Sequence, residues 1–324
     1  MNFKLDFNFS RLQQEISISD SIFLMGSCFA ENMYQKFELY KFDSICNPNG
    51  ILFNPMSIAN GLNSYLESTP DIDTLLFEHE GIWHSWWHHG SYIGSSREEL
   101  KLKINEANKQ AQIRLKNAQW LIITWGSAYV YELASNKLLV ANCHKVPSGK
   151  FKKRLLSVAE ITNVYSHLLE KLNRFNPGLK VMFSISPVRY TRDGLHENNL
   201  SKATLMLALQ QLQNSNPKLE YFPAYEIVND ELRDYRFFEQ DWVHPNKLAI
   251  NYVWQRFTET CLTPETLNCL IAIEPIIQAK QHRPINEDSI AHKHFKSEFL
   301  KKTEALQKAY PYINLQEEIA FFGA

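Results

Sequence analysis

The chain has 324 residues, 44% of them hydrophobic and 13% aromatic, with only 11 glycines and 13 prolines. That is enough apolar material for one large α/β domain or two smaller ones, and it excludes low-complexity and collagen-like classes. A formal net charge of -1 with 21% charged residues offers no basic surface to a polyanion, so nucleic acid is not expected as a partner.

In chain order, residues 21–25 (SIFLM) read as a buried strand stopped by Gly26, and Ala30 to Phe37 as a short helix after it. Residues 42–46 (FDSIC) are a second strand candidate, ended by the turn-forming Asn47-Pro48-Asn49-Gly50. Residues 120–126 (WLIITWG) are the clearest strand. Tyr129 to Ala141 alternates around Ala134-Ser135-Asn136-Lys137 and predicts an inserted hairpin. Ile161, Val164, Tyr165, Leu168, Leu169 and Leu172 share helical spacing, and Asn176-Pro177-Gly178 ends that helix. Lys180 to Ser186 is a further strand halted by Pro187. Residues 201–213 are helical again, and Leu219 to Phe222 is strand-like. Residues 262–324 are charged, hold no further strong strand, and are expected to form a helical extension.

Apolar strands separated by helices imply an α/β fold, a parallel sheet covered on both faces. Ligands in such sheets sit beyond the carboxyl ends of the strands. Gly26-Ser27-Cys28, Asn47 to Gly50, Gly126-Ser127 and Pro187-Val188-Arg189 would therefore share one rim.

The five cysteines (Cys28, Cys46, Cys143, Cys261 and Cys269) are odd in number and form no CxxC pair, which points to a reducing compartment. The N-terminus carries Asp6 and no apolar core of the kind a signal peptide needs. No window approaches the roughly 18 apolar residues that span a bilayer. A cytoplasmic protein without a membrane partner is expected.

A strand, a sharp turn and a helix around Gly26-Ser27-Cys28 would lift a hydroxyl or a thiol above the sheet edge, as a nucleophile elbow does. The helix start would supply N–H groups to an oxyanion and favour a thiolate. The same residues also suit a buried cysteine closing a tight turn. Far downstream, Asp241-Trp242-Val243-His244-Pro245-Asn246 places an acid three residues before a histidine. Such an acid can orient the imidazole and leave its other nitrogen as general base.

Residues 81–92 gather His84, His88 and His89 with three tryptophans. Gly81 and Gly90 disfavour the helix that an H-x3-H metal site needs, and no zinc spacing is present, so no metal is expected. An aromatic substrate wall or a structural cluster is the alternative. His144, after the hairpin, and Arg189, beyond a strand end, are candidate substrate contacts, the latter through its planar fork. Asn198, Asn199 and Lys202, opening a helix, are placed on the same rim.

GSCFAEN (26–32), NPNGILFNP (47–55), NCHKVP (142–147), SPVR (186–189) and DWVHPN (241–246) together resemble the GSCFA domain proteins, which are related to the SGNH (GDSL-like) hydrolases. The resemblance covers about residues 20–260. It implies an SGNH-like three-layer α/β/α sandwich over 1–261 with a mostly parallel sheet and the inserted hairpin, and a helical extension over 262–324 packed on it. It also implies hydrolase or acyltransferase chemistry on a small-molecule or glycan ester. No cofactor is required, and acetyl-CoA is a candidate acyl donor.

Carried across residue by residue, the resemblance makes Asp241 and His244 the acid–base pair and Gly50 the oxyanion glycine, beside the Cys28 N–H. The Gly-x-Asn-Asp stretch expected after the central strand reads Gly126-Ser127-Ala128-Tyr129 here. Its oxyanion Asn is missing, and Asn142 and Asn49 are the candidate replacements. Gly126, His84, His144 and Arg189 fall to substrate binding. Set on the GDSLxRNQ form of plant wall-polysaccharide O-acetyltransferases, GSCFAENM aligns without a gap, with Cys28 on the nucleophilic Ser and Asn32 on the Asn. A one-residue shift in the turn would make Ser27 the nucleophile instead. The alternative, from another class, is a non-catalytic ligand-binding protein that keeps the fold and uses the aromatic and histidine cluster as its wall.

Overall fold

Alternation along the apolar strands divides their side chains between two cores. Ile22, Leu24, Trp120, Ile122 and Met182 enter one core, while Phe23, Met25, Leu121, Ile123 and Phe183 enter the other. A sheet that is apolar on both faces must be covered on both, which dictates three layers.

The structure is a computed structural model describing residues 5, 7–66 and 72–323. Most of the N-terminal stretch read above (1–4 and 6) lies outside the described residues. The chain begins with β1 (Ile22–Gly26), α1 (Cys28–Leu39), β2 (Ser44–Cys46) and α2 (Pro55–Leu66). A small antiparallel sheet of β3 (Leu76–His79), β4 (Ile82–Ser85) and β5 (Ile93–Gly94) follows. Next come α3 (Arg97–Asn117) and β6 (Trp120–Trp125), then a second small sheet of β7 (Tyr129–Leu133), β8 (Leu139–Val140) and β9 (Phe151–Leu155). After these run α4 (Val158–Phe175), β10 (Lys180–Ile185), α5 (Leu195–Ser215), β11 (Glu220–Phe222) and the short turn α6 (Ala224–Glu226), which passes into a π-helix, Ile227–Leu232. The chain closes with α7 (Lys247–Cys261), α8 (Pro264–Gln281), α9 (Ile290–Ala309) and α10 (Gln316–Gly323).

The central sheet is five-stranded, in the order β11-β10-β6-β1-β2, and every pairing in it is parallel. Numbering these strands along the chain gives the doubly wound order 2-1-3-4-5, whose direction reverses between β1 and β6. Gly26 and Gly126 sit at that switch point. One face carries α1, α7 and α8, with Phe37 fully buried and edge-to-face with Phe42, Trp254 and Phe257 at 5.1, 5.2 and 5.5 Å. The other face carries α2, α4, α5 and the end of α3. The helical tail joins the first core through Ile273, Ile276, Leu306 and Phe322.

The expected hairpin is present as β7 and β8, but β9 adds a third strand to it. The tryptophan- and histidine-rich segment 81–92 contributes β4 and part of a sheet that the sequence reading did not anticipate. Helix α1 opens at Cys28 rather than Ala30, and α5 opens at Leu195 rather than residue 201. Among the described residues no helix is long and apolar enough to cross a membrane.

Candidate active site

β1 can end where it does because Gly26 has no Cβ. At its φ of +148° a Cβ would lie 2.3 Å from the Thr124 carbonyl oxygen on β6. That oxygen accepts the Ser27 N–H at 3.2 Å, while the Gly26 N–H donates to Asn47 Oδ1 at 2.8 Å. Ser27 is the N-cap of α1 and Cys28 its first residue. Cys28 therefore stands among first-turn N–H groups that have no acceptor within the helix.

Burial raises the Cys28 thiol above its ordinary value; the Phe29 N–H and the Lys202 charge oppose that rise, and Glu31 adds to it. Ser27 Oγ is buried and has no hydrogen-bond partner, whereas Cys28 is partly exposed. The thiol is the more reachable of the two candidate nucleophiles.

The Asn47–Gly50 turn backs this site. Asn47, at φ +48°, spends its side chain on Gly26, and its carbonyl accepts the Gly50 N–H at 2.7 Å. The amide expected to face an oxyanion is thus engaged inside its own turn. Gly50 is a glycine for another reason: at φ +74° a Cβ would meet His89 Cβ at 2.3 Å. The Asn49 carbonyl accepts the His89 N–H at 3.1 Å, while its buried Oδ1 has no partner. The turn and the histidine-rich segment are therefore packed together.

Within that segment, His88 Nδ1 bonds Ser85 Oγ at 2.8 Å, and His144 Nε2–H donates to the Ser85 carbonyl at 2.8 Å. The His84 and His144 rings lie 4.8 Å apart. Burial brings His88 down to about 3 and His144 down to about 4, so both are neutral at pH 7. Asn142 Oδ1 accepts the His144 N–H at 2.8 Å, which occupies one candidate oxyanion group in holding its own loop. Among the described residues no set of three or more His, Cys, Asp or Glu side chains is arranged to hold a metal ion.

On the opposite side of the switch point, the Gly126 and Ser127 N–H groups both donate to the Phe53 carbonyl, at 2.7 and 3.1 Å. A Cβ on Gly126 would lie 3.4 Å from Ser27 Cβ, so this loop abuts the nucleophile turn. Lys202 Nζ donates to the Gly126 and Ser186 carbonyls at 2.7 Å each. Arg189 Nε donates to Asn229 Oδ1 at 3.0 Å, and Asn198 Oδ1 accepts the Tyr190 N–H at 3.0 Å, fixing the loop after β10. The sequence reading placed Lys202 only on the rim and gave it no task; the signal was a lysine in phase with Leu205, Leu209 and Leu212 on the buried face of α5.

Asp241 and His244 do form a pair. His244 Nδ1 meets Asp241 Oδ2 at 2.5 Å, and Asp241 Oδ1 accepts the Val243 and His244 N–H groups at 3.0 Å each. The His244 N–H, with its ring and the Val243 N–H, holds Asp241 at about 2. The pair lies in the turn before α7, which Asn246 caps through the Leu248 and Ala249 N–H groups. Both side chains are about half exposed, at 48% and 47%. Among the described residues no hydrogen bond joins His244 to Cys28 or Ser27. The structure brings Cys28, Ser27, Asn47, Gly126 and Lys202 together, and Asp241 with His244, as two groups.

No curated protein matches the chain in sequence. Among solved structures, a carbohydrate esterase family 3 protein from Talaromyces cellulolyticus aligns with 78% of this chain and 98% of its own, at 12% identity and a TM-score of 0.31. The profile of the GSCFA domain protein C-terminal domain matches residues 273–324. The GSCFA family profile matches residues 21–257, from the start of β1 into α7, and the chain belongs to that family.

Proposed function

We propose that the protein is an SGNH-type acyl-transfer enzyme, an ester hydrolase or O-acyltransferase, with Cys28 as nucleophile. The observation that carries this reading is the Cys28 thiol at the first position of α1, beyond the carboxyl end of β1, with first-turn N–H groups acting on its sulfur. The parallel order 2-1-3-4-5, with the candidate nucleophile directly after its first strand, supports the SGNH relationship.

In this mechanism the thiolate attacks an ester carbonyl, and the N–H groups of Cys28 and Phe29 face the oxyanion. Asp241 holds His244 through Nδ1, leaving Nε2 to take the Cys28 thiol proton as the sulfur attacks and to give it to the departing alkoxide. Water or a sugar hydroxyl, deprotonated by the same nitrogen, then attacks the thioester and frees Cys28. A carbohydrate-linked ester is the proposed substrate class, with the aromatic segment 81–92 as its wall and acetyl-CoA as the donor in the transferase case.

The test is acyl trapping with labelled short p-nitrophenyl esters and acetyl-CoA, followed by mapping of the labelled residue. Label on Cys28 is expected. Full turnover retained by both Cys28→Ala and Ser27→Ala would sink the proposal. A second reading, ligand binding without turnover, is favoured by the exposed Asp241–His244 pair, which makes no bond to the thiol. Saturable binding of a glycan ester with neither label nor product would decide for it.

A further inference from the structure

The loop after β10, Pro187 to Gly194, carries two arginines and a single carboxylate. That carboxylate, Asp193, is paired with Lys153 of β9. Arg189 is partly buried, and its Nε donates to Asn229 Oδ1 at 3.0 Å. Asn229 is itself buried in the π-helix, where its Nδ2 donates to the Pro187 and Tyr225 carbonyls at 3.2 and 3.0 Å. A buried amide with both ends engaged thus holds the guanidinium by its inner edge. Among the described residues no carboxylate forms an ion pair with Arg189; Asp230, next to Asn229 in the chain, is exposed and points to no such pair. The two Nη groups make no hydrogen bond among the described residues and are open to solvent.

A second donor stands beside it. Tyr225 shares Asn229 with Arg189 through its carbonyl, and its ring lies 5.7 Å from Lys202 Nζ. Burial raises the Tyr225 phenol above its ordinary value, and the Arg189 charge opposes that rise. The Tyr225 hydroxyl makes no hydrogen bond among the described residues and is likewise open to solvent. The place of this pair on the rim follows from the sheet. β10 is two strands from β1, and neighbouring strands lie about 4.8 Å apart, so the end of β10 stands roughly 10 Å from the Ser27–Cys28 turn. Contacts bridge that interval: the Gly126 loop abuts Ser27, and Lys202 ties Gly126 to Ser186, just before Arg189 in the chain. On the other side of the thiol stands Glu31, bonded to Asn47 after β2. The rim is therefore negative toward β2 and positive toward β10.

We propose that Arg189, with the Tyr225 hydroxyl, binds a carboxylate on the substrate, so that the ester accepted at Cys28 is one of a carboxylate-bearing alcohol, such as an acylated acidic sugar. The inference rests on the acyl-transfer reading for the ester and adds to it the charge at the far end of the substrate. A guanidinium anchored at Nε keeps its Nη groups for the planar fork that meets two carboxylate oxygens. One guanidinium and one neutral phenol match a single negative charge. A phosphate dianion calls for a second cation, and the neighbouring Lys202 is turned to the Gly126 and Ser186 carbonyls. A sugar ring between ester and carboxylate spans much of the roughly 10 Å between the two strand ends. Holding the anion at β10 then turns the ester toward the thiol at β1.

The experiment is a ligand-observed NMR titration of the full chain with p-acetamidobenzoate, an unreactive amide that carries a carboxylate across a rigid ring, and with p-acetamidobenzamide, its neutral counterpart. The carboxylate is expected to bind about tenfold or more tightly than the carboxamide, as a hydrogen bond to a charged group allows. Arg189→Gln, shown to be folded by its thermal transition, is expected to bring the ratio of the two Kd values close to one. Arg189→Lys, a point charge without the fork, is expected to restore part of that ratio. Equal affinities in the wild type, or no detectable binding of either compound, overturn the proposal without any variant, as does a folded Arg189→Gln protein with the wild-type ratio. Tighter Arg189-dependent binding of p-acetamidophenyl phosphate than of the benzoate overturns the carboxylate in favour of a phosphate. Hydrolysis of p-acetoxybenzoate, the ester of the same shape, is followed alongside. Turnover of that ester without any carboxylate preference in binding leaves the esterase reading standing and overturns the role of Arg189. An Arg189-dependent preference with neither turnover nor acyl label upholds Arg189 and overturns the esterase reading.

Discussion

Burial of a lysine without a carboxylate partner has a thermodynamic signature separate from any activity. Lys202 moves from 10.5 to about 7 on folding, by desolvation first. Between those two values the unfolded chain binds a proton that the folded chain lacks, so stability rises with pH at up to about 1.4 kcal/mol per unit. From pH 7 to pH 9 the gain is roughly 2–3 kcal/mol, a large share of a typical domain stability of about 5–15 kcal/mol. Below pH 7 the lysine is charged in both states and the curve flattens at its low end. Cys28 acts in the opposite direction at the top of the range. Its thiol is raised by burial, so the unfolded chain ionises first, and stability falls as pH climbs past 9. A Cys28→Ala background removes that opposing contribution. Adding Lys202→Met there leaves the Gly126 and Ser186 carbonyls without their donor, an offset of about 1–3 kcal/mol each at every pH. Urea denaturation at pH 6, 7, 8 and 9 measures the difference between the two proteins. The stability of Cys28→Ala/Lys202→Met relative to Cys28→Ala should fall by roughly 2–3 kcal/mol between pH 7 and 9. A difference that stays constant over that range refutes an unpaired buried lysine.

Gly26→Ala forces a Cβ to within 2.3 Å of the Thr124 oxygen at a φ of +148°; a loss of at least about 1–3 kcal/mol is expected, read as a lowered midpoint in denaturant. An unchanged midpoint would mean that the strand does not end in this turn. Phe37→Ala empties a site touched edge-on by three aromatic rings and should cost about 3–5 kcal/mol in the same assay; a loss under about 1 kcal/mol would contradict the packing. Asp241→Asn should lower ester turnover by on the order of 10²-fold or more if Asp241 orients the base, yet change stability by less than about 1 kcal/mol at pH 7, because both partners are half exposed. The wild-type contribution of Asp241 is present above its unperturbed value of 3.8 and is lost as pH falls toward about 2. Equal turnover in wild type and Asp241→Asn would remove the pair from the mechanism.

The central sheet was legible because burial on both faces writes a strand as a continuous apolar run, as in Ile22 to Met25 and Trp120 to Ile123. The missed helices fail that test in different ways. In α2 nearly every side is buried, and a Cβ on Gly61 would lie 3.0 Å from Met25 Cε, so no polar face marks the period. In α3 the apolar stripe is thin, Leu100, Ile104, Ala111 and Leu115 among charges, and its clearest mark is the Ser96 cap accepting the Glu99 N–H. The small sheet of β3, β4 and β5 was hidden by aromatic and histidine residues that pack on both of its sides, so the period of two was lost. At the site, residue types were legible and partners were not. Gly50 fitted an oxyanion role by pattern, but its N–H closes the Asn47 turn, and only backbone geometry reveals that. Lys202 was visible as a charge on an apolar stripe, while its carbonyl partners lie 76 and 16 positions away.

The two quoted blocks GSCFAEN and NPNG are physically one device. Asn47 Oδ1 takes the Gly26 N–H, and its Nδ2 reaches Glu31 Oε1 at 3.4 Å, so one side chain ties the end of β1 to the first turn of α1. From the β6 side Thr124 accepts the Ser27 N–H, and from α5 Lys202 fastens the Gly126 loop that presses on Ser27. Because the switch point lies between β1 and β6, these supports come from independent segments and converge on a single turn. A thiol held this way is placed by backbone and buried polar bonds, which suits a nucleophile that must meet an oxyanion site within a fraction of an ångström. The Asp241–His244 pair is braced by its neighbouring segment instead: the His244 carbonyl accepts the Glu239 N–H at 2.8 Å, and Phe238 bridges Pro245. If Cys28 attacks as proposed, its placement rests on these buried bonds, while the half-exposed Asp241–His244 pair is held within the 235–246 segment.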